Sequence, residues 1–243
     1  MDRGAYLDAV ARDSAALVVA ARLGLDPAVD HCPGWTVRSV LEHLGTIHLW
    51  VRTMVERRST ERLSRQDLPG PPSDGGALVE WFESGAGRLV ETLGSVDPDE
   101  QVWNWSLQPH TASFWPRRMA HETAVHRWDG ERSHGREQPI DGAMAVDGID
   151  EVFDTIVPRL LDGGAPSDIA GSLHLHCTDR DGEWLVSLQG GVLDVRWQHA
   201  KGDCAVRGTA SDLLLLLLNR PTREQVEVFG DDDVLAAWSK FRF

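Results

Sequence analysis

In the stretch FWPRRMAHETAVHRWD, from Phe114 to Asp129, a carboxylate (Glu122) and an imidazole (His126) stand four residues apart. Positions i and i+4 share one face of a helix, about one turn apart. A pair so placed can grip one divalent cation, or one member can orient the other. A second imidazole, His43, lies three residues from Val40 and four from Ile47 in an apolar helical pattern, so it points toward an interior. Two histidines and one glutamate form a borderline donor set that suits Zn²⁺ or a similar first-row cation. Three protein ligands leave at least one position open for water or substrate, which is a catalytic rather than a closed structural arrangement. The same residues have a plainer reading. His43 would be a core histidine bonded to a neighbour, and Glu122 with His126 a helix-stabilising pair worth a few tenths of a kcal/mol. Burying one Glu and two His without a cation is costly, which favours the metal, but both readings stay open at this level.

Other side chains nearby bear on the chemistry. An acidic substrate needs a cation close to the centre, and Arg38, Arg117, Arg118 and Arg127 all flank the motif residues; one of them could hold a carboxylate in a bidentate pair. The alternative for each is a surface arginine paired with the excess acid. Trp35, Trp115 and Trp128 either wall the pocket or pack helix ends, packing being the commoner role. Asp129, three after His126, is placed to orient a ligand or to pair with neighbours of Arg127. His121 is turned about 100° from Glu122 and is excluded from the ligand set. Cys32 has no base beside it in sequence and is not expected to be a nucleophile. His174 and His176 alternate on a strand and share a face. They form a rival metal pair, for which the sequence places no carboxylate or third histidine, so a solvated sheet face explains them equally well.

The elements that must position these groups follow from the apolar pattern. Helices are expected over residues 5–23, from Thr36 as N-cap to about residue 58, over 77–93 and from about 115 to 134, with Pro116 in the first turn of the last. His48 is expected to turn away from the apolar face that carries His43. Gly85 and Gly87 weaken the third helix and are expected to admit a close approach. Residues 59–76, charged and then rich in Pro and Gly, form a long surface connection. Four amphipathic helices with one long crossover make a bundle. Beyond residue 139 the pattern changes to a helix over 143–161 and a turn at 163–166. Alternating runs then begin at Ser172, Gly182, Val192 and Cys204, with hairpin turns at 179–182 and at Gly190-Gly191. A buried helix over 212–218, a short strand over 226–229 and a last helix from Asp231 complete it. The fold class is α+β in two domains: a four-helix bundle over 1–138, and an α+β domain with a mostly antiparallel sheet over 139–243.

Bulk composition narrows the partners. With 24 basic against 38 acidic residues the formal charge is −14, which argues against nucleic acid and against an anionic membrane as partners. No apolar run is long enough to span a bilayer, and no secretory apolar segment is expected at the N-terminus. Three cysteines without a C-x-x-C pair fit a reducing, cytoplasmic compartment.

CPGWTVRSVLEHLG over 32–45, followed at a distance by RRMAHETAVHRWD over 117–129, resembles the mycothiol-dependent maleylpyruvate isomerase family. The resemblance covers nearly the whole chain. It implies a DinB-like four-helix bundle followed by a domain like sterol carrier proteins, and a divalent metal on His43, Glu122 and His126. It further implies an actinobacterial enzyme in which mycothiol, a low-molecular-weight thiol, takes the open position as thiolate and attacks a small-molecule electrophile, as an isomerase or a thiol S-transferase. The alternatives that stand beside it are a non-catalytic metal-binding or regulatory module, and a metal hydrolase using activated water. Neither the physiological electrophile nor the oligomeric state follows from it.

Overall fold

The computed structural model describes residues 1–165 and 168–241. The chain divides into two compact units, residues 1–105 with 109–138, and residues 106–108 with 139–241 of those described.

The first unit is helical. α1 (Arg3–Leu23) begins where Asp2 accepts from the Ala5 N–H. α2 (Val37–Glu56) begins in a capping box between Thr36 and Ser39, and α3 (Gly75–Ser95) where Asp74 accepts from Ala77. α4 (Phe114–Arg132) carries the motif. These caps satisfy amide donors that a helix start leaves unpaired. α1 packs chiefly on α4 and α2 on α3, with α1–α3 and α2–α4 as the other neighbours, so α2 and α4 lie side by side. Leu17, Leu41, Leu44, Leu78 and Phe82 fill the core between them.

Two expectations are corrected here. His48 is not turned out. It is fully buried, stacked on Phe82 at 5.7 Å and bonded to Thr123 Oγ1 at 3.0 Å, because α2 is covered by α3 on one side and α4 on the other. The α3 glycines admit no close approach either, since a Cβ at Gly85 or Gly87 would meet nothing within 4 Å. The close approaches are at Gly45 of α2, where a Cβ would fall inside the Trp81 ring, and at Gly130 of α4, against Leu17. Gly45→Ala is therefore expected to destabilise by about 1–3 kcal/mol despite alanine's better helix propensity, because overpacking outweighs propensity. A denaturant titration against the native chain checks this. The long connection runs over the surface as expected, with most of residues 59–76 exposed and none buried. A 3₁₀ turn (Arg65–Asp67) forms in it, and the indole N–H of Trp50 donates to the Leu63 carbonyl at 2.8 Å.

The second unit opens with α5 (Gly142–Glu151), which runs through a π-helical turn (Val152–Ile156) into α6 (Val157–Asp162). A single helix is expected here from the sequence. The irregular turn has a cause in Pro158, which cannot donate to the carbonyl four residues back. Five strands follow: β1 (Ile169–Cys177), β2 (Glu183–Gln189), β3 (Val192–Arg196), β4 (Cys204–Gly208) and β5 (Glu227–Gly230). The sheet order is β3-β2-β1-β4-β5, with only the β1–β4 pair parallel. β2 and β3 join through Gly190 and Gly191, both at positive φ (55° and 77°), the conformation a tight hairpin demands. α7 (Ala210–Leu217), capped by Thr209, and α8 (Asp232–Trp238) complete the unit. The turn expected at 163–166 falls partly outside the described residues. Among the described residues, no helix is long and apolar enough to cross a membrane.

Candidate metal centre

α2 supplies His43, and α4 supplies Glu122 and, one turn on, His126. Glu122 Oε1 is their meeting point, 3.2 Å from His43 Nε2 and 3.5 Å from His126 Nε2. The two imidazoles stand edge-to-face with centroids 4.9 Å apart. Zinc takes such ligands at roughly 2.0–2.1 Å, so neighbouring donors of a tetrahedron lie about 3.3 Å apart. The two observed separations bracket that spacing. The three side chains therefore fit a first-row divalent cation, and their types suit zinc better than magnesium or calcium.

Around the three donors lies a set of orienting groups. Asp129 is 1% exposed and accepts from His126 Nδ1 at 2.9 Å and from His31 Nε2 at 2.8 Å. A carboxylate only accepts, so Nδ1 of His126 carries a proton and Nε2 is the atom that faces Glu122. Arg118 donates to the other oxygen, Glu122 Oε2, at 2.7 Å. The Trp35 ring stacks over His126 (6.0 Å, 19°) and lies 5.1 Å from His43.

These contacts shift the titrations. Burial by itself would raise the Glu122 pKa, but the Arg118 guanidinium and hydrogen bonds from His126 and His43 hold it well below the usual carboxylate range. Burial would lower that of His126, yet hydrogen bonds to Asp129 and Glu122 and their charges raise it to about 9. With no cation bound, His126 is an imidazolium held between two carboxylates. His48 behaves oppositely: burial pushes its pKa down to about 3, so it stays neutral in the core.

Of the residues nominated from sequence, His43, Glu122 and His126 converge, and Trp35 and Arg118 border them. Arg118 acts on Glu122 rather than standing open to a substrate. Arg127 is spent on structure. Its side chain is 4% exposed and engages Asp13, Glu131 and the Gln138 carbonyl, so no face is left for a substrate carboxylate. Arg38 is held by the Ser73 carbonyl and by Glu42. Arg117, half-buried, lies five residues before Glu122 and about 140° around the helix from it. Trp115 and Trp128 are packed, against Trp50 and Phe114 and against His31 and Arg132 respectively. His121 is buried edge-on to Tyr6, away from the donors.

Two residues escaped the sequence reading. His31 reaches Asp129 across 98 positions, and no local spacing signals it. It also forms a donor trio with Asp129 and Cys32, so Cys32 does have a histidine and a carboxylate near it. Arg65, from the long connection, sits over Trp50 with its guanidinium carbon 4.8 Å from the ring centre. Burial and the charge of Arg62 lower its pKa, and the Glu122 carboxylate counters them.

Asp129→Asn keeps the shape but loses the acceptor shared by two imidazoles. It is expected to weaken zinc binding 10–100-fold, the usual cost of losing such an orienting carboxylate. Competition with a chromogenic chelator measures it.

The fold and the site together define a two-unit α+β protein whose helical bundle presents a His–Glu–His cluster fit for a divalent cation. The chain belongs to the mycothiol maleylpyruvate isomerase family of enzymes. The N-terminal domain model of that family matches residues 7–130 and its C-terminal domain model residues 143–237. Among solved structures, a mycothiol-dependent maleylpyruvate isomerase is similar over 94% of this chain and 93% of its own, at 12% identity and a TM-score of 0.62. A histidine-to-alanine mutant of that enzyme aligns over the same shares at 13% identity and 0.63. At such identities the likeness shows the fold alone. A sterol carrier protein from Aedes aegypti aligns with 40% of this chain at 19% identity, but its TM-score of 0.29 is too low to define a shared fold. No curated protein matches the sequence significantly.

Proposed function

We propose that this chain is a mycothiol-dependent isomerase, or a thiol S-transferase of the same chemistry. It would act on a small electrophile at the His43–Glu122–His126 centre, with a divalent cation, zinc first among candidates, held by those three residues. The observation that supports this reading is the meeting of His43 with Glu122, 79 positions on, and with His126 one turn further, at a spacing a zinc ion accommodates, in a member of a family named for such an enzyme.

Bound there, a cation of this kind would act as a Lewis acid that keeps a small thiol ionised near neutral pH, supplying a nucleophile for reversible addition to an electrophilic carbon. The chain's own residues set the conditions. Two neutral imidazoles and one carboxylate carry a single negative charge, so a dication keeps a net positive charge among them and an anionic sulfur is favoured over a neutral one. Asp129 retains the proton of His126 on Nδ1 and leaves Nε2 to the centre. Arg118 occupies Glu122 Oε2 and so directs Oε1 inward. Trp35 covers the two imidazoles with an apolar ring and limits water there. Arg65, exposed and within the field of Glu122, is better placed to meet an acidic substrate than Arg38 or Arg127, which are committed elsewhere.

Titrating the cobalt-substituted protein with mycothiol tests this reading. A sulfur-to-cobalt charge-transfer band that saturates with thiol is expected, and His43→Ala should not develop it. A spectrum unchanged by excess thiol overturns the thiolate reading.

A further inference from the structure

The second unit carries a cluster that the bundle centre does not use. In β1, His174 and His176 point to one face, and the antiparallel register sets His176 directly opposite Glu183 of β2. The loop after β3 then brings in His199. The carboxylate that the sequence alone does not place is thus supplied by strand pairing, and the third histidine by the turn of the chain. We propose that His174, Glu183 and His199 form a second binding site for a borderline first-row divalent cation of the zinc type, with His176 bonded to the same carboxylate.

The geometry repeats that of the bundle. One donor atom from each of the three residues lies within 4.8 Å of the others. Glu183 Oε2 is 2.9 Å from His199 Nδ1 and 3.6 Å from His174 Nε2, again bracketing the roughly 3.3 Å between donors of a tetrahedral zinc site. His176 Nδ1 donates to Glu183 Oε1 at 2.7 Å, while His199 Nδ1 lies against both carboxylate oxygens, 3.1 Å from Oε1 and 2.9 Å from Oε2.

A second, independent observation is the state of His174. Its side chain is 7% exposed, and its Nε2, aimed at the Glu183 carboxylate, has no hydrogen-bond partner. A buried ring nitrogen left without a partner costs free energy, and coordination of a cation would remove that cost.

The surroundings suit an accessible site. The cluster borders an open cavity of about 670 Å³ lined by His176, Glu183, Trp197 and His199, so a cation has an entry path and room for further ligands. The loop that carries His199 is pinned: the Trp197 indole donates to Asp150 Oδ1 at 2.7 Å, the same oxygen that accepts from Trp184 at 2.7 Å. Imidazole donors disfavour magnesium and calcium, so the class is zinc, cobalt or nickel.

Metal analysis of the full chain decides the matter. The protein is stripped with chelator, reloaded with Zn²⁺ and freed of excess by gel filtration. Two equivalents are expected on the native chain, one on His43→Ala, one on His199→Ala and none on the double variant. His199 is 78% exposed at its side chain, so its removal leaves the fold intact. One equivalent that His43→Ala keeps and His199→Ala loses would support this site while sinking the bundle centre. Equal zinc on the native chain and on His199→Ala overturns the proposal.

Discussion

His43→Ala is expected to lose the cation at the bundle centre, with the dissociation constant rising about 10³-fold. Built zinc sites are worth roughly 10–16 kcal/mol at neutral pH, and shared over three or four ligands each accounts for about 4 kcal/mol. What remains after the substitution is Glu122 and His126 on a single helix, an i,i+4 pair of the kind many solvated helices carry. The variant is a clean probe because the His43 side chain is about a third exposed, at 31%. Truncating it opens no sealed core void, and the cation-free protein should lose only about 1 kcal/mol, the worth of the hydrogen bond to Glu122. Chelator competition gives the affinity and a denaturant titration the stability. Unchanged zinc affinity would remove the centre from the proposal altogether.

The second large effect is expected in pH. In the cation-free protein His126 titrates near 9, raised from 6.5 by Asp129 and Glu122 against the opposing effect of burial. Below that pH its Nε2 carries a proton that a cation must displace. Zinc affinity should therefore rise about tenfold per pH unit, close to 100-fold from pH 6 to pH 8, and level off near pH 9. Glu122, held well below its usual range, is already ionised across this window and adds no proton. Calorimetry in buffers of different ionisation enthalpy should count about one proton released at pH 7. The same shift acts on folding with the opposite sign. A histidine whose folded pKa is raised stabilises fully below its unfolded value near 6.5, and that contribution fades as pH climbs through about 9. The cation-free protein should accordingly lose thermal stability between pH 6.5 and 9, while the zinc form gains affinity over the same range. Zinc binding that is flat from pH 6 to 8 would show that His126 is not a ligand.

Which features were legible in the sequence follows from their range along the chain. Glu122 and His126 could be read as one face because a helix repeats every 3.6 residues, and that spacing is a property of the local backbone. His43 could be read as inward from its neighbours Val40 and Ile47. The helix starts at Thr36 and the hairpin at Gly190-Gly191 were likewise local, set by a capping side chain and by residues that accept positive φ. The π turn near Pro158 was locally encoded too, although the apolar period alone hid it. His48 was misjudged because a single apolar stripe assumes one buried face, and α2 is covered on two. Which arginine stays open was not legible, because charge near a motif says nothing about which acid it will meet: Arg127 found Asp13, 114 positions away.

The sequence by itself thus determined most of the helices and strands and named the candidate donor side chains. Only the tertiary structure decided which of them meet. Packing of α2 beside α4 brings His43 within 3.2 Å of Glu122, and the turn before α2 sets His31 against Asp129. Register between β1 and β2 gives His176 its carboxylate and leaves His174 Nε2 facing it. The reason is that spacing on one element is fixed by backbone geometry. The distance between elements is set by which buried surfaces fit, and that information is spread over the whole core rather than written beside the residues it unites.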